Sequence, residues 1–118
     1  MFNQASKEEI NSFLARCRKL VYDGQLQLLP RVNLRELTRY GLMIEDVEDT
    51  ITELSSENYF RGPEDDYDMD EYGSGDIWQF KKDIDNRRFY IKLKLVEDGS
   101  EPFVKCMSFH LDEPWRGK

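Results

Sequence analysis

The sequence predicts an α+β fold in which N-terminal helices pack on one face of an antiparallel β-sheet. Three observations carry that expectation. Apolar residues from Ile10 to Val21 recur at helical spacing, those from Ile77 to His110 largely alternate, and the helical segments all precede the long strands. A chain of 118 residues holds a single core, so one domain spanning 1–118 is expected.

Each element follows from a local signal. Ser6-Lys7-Glu8-Glu9 is a capping box, in which the serine oxygen takes a backbone N–H and Glu9 reaches back to the Ser6 N–H. Ile10, Phe13, Leu14, Cys17, Leu20 and Val21 then form an apolar stripe, and Gly24 ends the helix. Gln25 to Leu29, QLQLL, alternates as a short strand before Pro30. Asn33 and Glu36 repeat the capping logic for a short helix ending at Gly41. A third helix puts Ile44, Val47, Ile51 and Leu54 on one stripe, with acidic residues early in it, as suits a helix N-terminus. Asn58 to Gly62, NYFRG, reads as a short strand. Three more strands follow, at about Ile77 to Lys82, Arg88 to Val96 and Phe103 to His110. Asp85-Asn86 and Glu97-Asp98-Gly99-Ser100 are turn-type joints, so these three form an antiparallel meander. The tail after residue 114 is expected to fray.

Composition narrows the function classes. The longest apolar runs fall far short of a membrane span, and no signal peptide or lipidation motif is present, so a soluble cytoplasmic protein is expected. Cys17 and Cys106 show neither CxxC nor Cys/His spacing, which removes a zinc signature; Cys17, on an apolar helix face, reads as a buried reduced thiol. A net charge of −7 argues at first against nucleic acid, because phosphate binding is driven by Lys and Arg. The distribution qualifies that argument. GPEDDYDMDEYGSGD, residues 62–76, reads as an acidic loop holding seven of the 24 acids and no base, which leaves 17 acids against 17 bases elsewhere. The bases also cluster, at Lys81, Lys82, Arg87, Arg88, Lys92 and Lys94, so a local basic site is compatible with an acidic chain.

Alternation divides the meander into two faces. Phe89, Ile91, Leu93 and Leu95 point one way and form the core face. Tyr90, Lys92 and Lys94 point the other, which is either an ordinary solvated strand face or a site. Gln79, opposite Trp78 and Phe80 in alternation, and His110, opposite Met107 and Phe109, join that second face if the registers agree. His110 is the sole histidine. Together these groups suit RNA cleavage: a base for the 2′-hydroxyl, an acid for the 5′ leaving oxygen, and cations for the phosphorane.

Five stretches in order then carry a resemblance: RKLVYDGQLQL (Arg18 to Leu28), LSSENYFRG (Leu54 to Gly62), DIWQF (Asp76 to Phe80), FYIKLKLV (Phe89 to Val96) and MSFH (Met107 to His110). The chain resembles the motility quorum-sensing regulator (MqsR) family of toxins over roughly residues 10–110. The resemblance implies a RelE-like fold and a metal-independent mRNA endoribonuclease without a cofactor. It implies a cognate antitoxin protein as partner and mRNA as substrate. It also implies that the active-site glutamine is Gln79, the tyrosine Tyr90, the nearby lysine Lys92 and the basic residue of the Leu-Ser element Arg61, with His110 at the C-terminal basic position. Arg61 stands where lysine is expected in the best-known members, and arginine is a poor proton carrier, so it is assigned to phosphate. Lys81, Arg88 and Lys94 are expected to bind RNA.

The acidic loop departs from shorter members of that family as an insertion beside the site. Asp66-Tyr67-Asp68-Met69-Asp70 opens like a calcium loop, but Glu71 stands where glycine is required and Ile77 where glutamate is, which rejects an EF-hand. The competing functional class is a non-catalytic interaction module on the same fold, with the acidic loop binding a basic partner and the sheet face only solvated.

Overall fold

The computed structural model describes residues 4–30, 32–65, 75–97 and 101–111, without the side chains of residues 33 and 34. Most of the acidic loop, part of the second turn and the tail lie outside these residues. The first helix, α1 (Lys7–Tyr22), starts as its sequence dictates: the Ser6 Oγ accepts the Glu9 N–H at 3.1 Å, and the Glu9 carboxylate accepts the Ser6 N–H at 2.8 Å. That backbone N–H holds the Glu9 carboxyl below its usual range. Ile10, Phe13, Leu14, Cys17 and Val21 are its buried stripe, and Gly24 turns the chain away with a φ of 78°.

The strand β1 (Leu26–Leu28) corrects the expected sheet. It pairs with β5 (Phe103–Leu111) in parallel, so the sheet is mixed rather than antiparallel throughout. The later helices and three further strands lie between the two strands in the chain, which is ample length for a parallel return. The remaining pairs, with β2 (Tyr59–Glu64), β3 (Ile77–Ile84) and β4 (Arg87–Val96), are antiparallel, in the order β1-β5-β4-β3-β2. Asp85 and Asn86 close the β3–β4 hairpin with φ of 53° and 66°, left-handed conformations that asparagine and aspartate tolerate.

The expected second helix is a π-helical turn, Val32–Glu36, running into α2 (Leu37–Tyr40), which Gly41 ends at a φ of 70°. Glu36 also reaches the sheet. Its carboxylate accepts the Phe109 N–H at 3.1 Å, and the Tyr40 hydroxyl accepts the Leu111 N–H at 3.2 Å. The β1–β5 register ends at Cys106, so these two side chains complete the edge of β5 where the short strand stops. The third helix, α3 (Ile44–Glu53), buries Val47 and Ile51, with Leu54 just beyond it, whereas Ile44 is 41% exposed at its first position.

Helices cover one face of the sheet. Phe80, Phe89, Ile91, Leu93, Val104 and Phe109 are fully buried beneath them, and Phe13 of α1 stacks on Trp78 of β3 with centroids 4.4 Å apart. The α+β class and the four-residue core face of β4 stand as expected.

Candidate active site

The opposite face is set by register. Arg61 of β2 pairs with Gln79 of β3, Gln79 with Lys92 of β4, and Lys92 with Ser108 of β5. The next row holds Lys81, Tyr90 and His110, each opposite the next. The row on the other side holds Ile77, Lys94 and Lys105. Every site residue expected from the sequence therefore stands in β2–β5 on one face, with Arg88 at the hairpin end, where its Nε donates to Asp83 at 3.0 Å.

His110 reaches this face through a β-bulge. The pairs Lys92–Ser108 and Leu93–Cys106 leave Met107 as an extra residue in β5. Val104 and Cys106 lie on the core face; uninterrupted alternation would carry His110 there too and expose Phe109. The extra residue switches the parity, burying Phe109 opposite Ile91 and setting His110 opposite Tyr90. The two rings lie 5.2 Å apart at 43°. The His110 Nδ1 is 3.0 Å from the Leu111 carbonyl oxygen, which only accepts, so Nδ1 is the donor of that contact.

A hydrogen-bonded chain crosses the strands. Arg61 Nε donates to Glu64 Oε2 at 2.8 Å, Gln79 Nε2 donates to Glu64 Oε1, and the Tyr90 hydroxyl donates to Gln79 Oε1. Glu64 is the residue that sequence reading missed. Its place in the acidic run assigned it to a loop, whereas β2 extends through it and pairs it with Ile77. Cations flank the chain: the Lys92 ammonium lies 5.9 Å from the Tyr90 ring centroid, and that of Lys81 sits 4.0 Å over the Phe60 ring.

This face differs from a solvated strand surface in one respect. Gln79 is 6% exposed, Ser108 4% and Lys94 not at all. Close approach of the chain at Gly75 explains part of the cover: its φ is 127°, and a Cβ there would overlap the Leu95 carbonyl oxygen and lie 3.5 Å from the Lys94 Cγ. Among the described residues no three His, Cys, Asp or Glu side chains converge as metal ligands.

The model of the motility quorum-sensing regulator family, described as the toxin of MqsA, matches residues 11–111. The chain belongs to this family. No curated protein and no solved structure matches it. The MqsR assignment makes the chain a toxin of a toxin–antitoxin system and implies an antitoxin partner. No helix among the described residues of this MqsR-family toxin is long and apolar enough to cross a membrane.

Proposed function

We propose that this toxin is a metal-independent mRNA endoribonuclease and that the β2–β5 face is where it cuts. The observation that carries the reading is the adjacency of Tyr90 and His110 across one strand pair, beside a row of Arg61, Gln79, Lys92 and Ser108. In the reaction the 2′-oxygen bonds to phosphorus as the bond to the 5′-oxygen breaks, leaving a 2′,3′-cyclic phosphate and a 5′-hydroxyl. One proton leaves the 2′-hydroxyl and one arrives at the 5′-oxygen; Tyr90 and His110 are the groups that serve these transfers. Lys92 and Arg61 hold the phosphate, where fixed positive charge stabilises the phosphorane, and Gln79 positions the scissile nucleotide. Lys81 and Arg88 guide the strand along the face. For Lys94 to join them, the residues that bury it must move aside.

The test is incubation of the purified protein with RNA in EDTA. Cleavage to cyclic-phosphate ends is expected, and it is expected to be lost in Tyr90→Phe and in His110→Ala. Intact RNA at micromolar protein overturns the reading and favours a non-catalytic interaction module.

A further inference from the structure

The Gln79 amide lies between two partners that make different demands. A carboxylate only accepts hydrogen bonds, whereas a tyrosine hydroxyl both donates and accepts. Because the Glu64 carboxylate is on one side, the amide must turn its NH2 toward Glu64, and its carbonyl oxygen then faces Tyr90. A hydroxyl has one hydrogen to donate, and here it is donated to Gln79 Oε1. Any further partner of the Tyr90 oxygen, RNA included, must donate to it. On the sugar–phosphate backbone of RNA the only such donor is the 2′-hydroxyl. Arg61 holds the Glu64 carboxylate from its other oxygen, and Glu64 itself is mostly buried, with 22% of its side chain exposed.

We propose that Glu64 is a positioning residue, which orients the Gln79 amide and so presents the Tyr90 oxygen to RNA as a hydrogen-bond acceptor that holds the 2′-hydroxyl in place. The idea rests on the RNA-cleaving reading above. It gives Glu64 a function opposite to that of a carboxylate that merely repels RNA. Loss of the acid lowers turnover, although it raises the positive potential of the face. Glu64→Gln offers one oxygen to two donors, Arg61 and Gln79, so it loses part of the effect; Glu64→Ala loses all of it.

Two measurements separate these possibilities. In amide NMR spectra of the full chain, one Gln79 side-chain N–H is expected to be shifted and slow to exchange. Both properties should disappear in Glu64→Ala. A Gln79 signal unchanged in that variant overturns the proposal, whether or not the protein cleaves RNA. In single-turnover cleavage, Glu64→Ala is expected to slow the chemical step about tenfold or more, a loss typical of a misplaced catalytic contact, with RNA affinity equal to wild type or tighter. Asp85→Asn, which removes an exposed acid from the β3–β4 turn without touching Gln79 or the partner of Arg88, should stay within about twofold of wild type, as befits a surface charge. Tighter binding with undiminished turnover in Glu64→Ala would mark Glu64 as a repulsive group and overturn the assignment. Absence of any cleavage by wild type rejects the enzyme reading instead, while the NMR result still decides the orientation of Gln79.

Discussion

The two faces of β4 come from alternate residues of one strand yet are held by different physics. Phe89, Ile91, Leu93 and Leu95 are buried against helices, and any apolar set of similar volume would satisfy that face. Tyr90, Lys92 and Lys94 face the other way among Gln79, Glu64 and Ser108, where burial falls on polar atoms. Burying polar groups is costly unless each finds a partner, so such a face is specified by hydrogen-bond direction and charge rather than by volume. The contrast predicts two kinds of mutational failure: loss of fold on one side and loss of chemistry on the other.

The largest effect belongs to the core face. Phe89→Ala removes a fully buried ring that meets Tyr40 and Phe109, and is expected to cost about 3–5 kcal/mol in denaturant unfolding. Activity should fall only in proportion to the unfolded fraction. One residue along, the pattern should invert. Tyr90→Phe and His110→Ala are expected to slow RNA cleavage about 100-fold or more, the range of a lost acid or base, while the unfolding midpoint moves far less than in Phe89→Ala. If both losses tracked stability instead, the outer face would be structural and the contrast would fail. Smaller again is Lys92→Ala, which should weaken RNA binding and lower the salt slope of affinity by about one contact, as expected for a single phosphate partner.

How much of this contrast was legible in the sequence differs by face. Period-two alternation placed Phe89, Ile91, Leu93 and Leu95 in the core with no knowledge of register, because a buried face constrains each position alone. The site needed register as well. Gln79, Tyr90 and Lys92 were readable because β3 and β4 share an uninterrupted ladder through a tight hairpin. The position of His110 depended on the Met107 bulge, whose one trace in the sequence is a change of apolar parity from Val104 and Cys106 to Met107 and Phe109. Glu64 was hidden differently: a carboxylate in an acidic run carries no sign that a strand edge will bring it to Arg61 and Gln79. Nor did local signals reveal that Glu36 would reach the sheet to accept the Phe109 N–H, a demand set by the short length of β1.

The smallest expected effect probes the core face by pH. Burial pushes the Cys17 thiol up to about 12 from its ordinary value of 9.0, with Arg16 and Arg18 opposing only in part. A raised value means that the folded state keeps this proton more tightly than the unfolded chain does. Its stabilising contribution is therefore complete below about pH 9 and is lost as pH rises toward 12. At pH 9.5 the loss from this one thiol is on the order of 1 kcal/mol, since the unfolded chain is by then largely ionised. Other groups titrate in the same range, so the informative quantity is a difference. Wild type minus Cys17→Ala, measured by urea unfolding at pH 7.5 and 9.5, should shrink by that amount. A pH-independent difference would mean that water reaches Cys17, and that the helix-covered face is less sealed than its apolar packing implies.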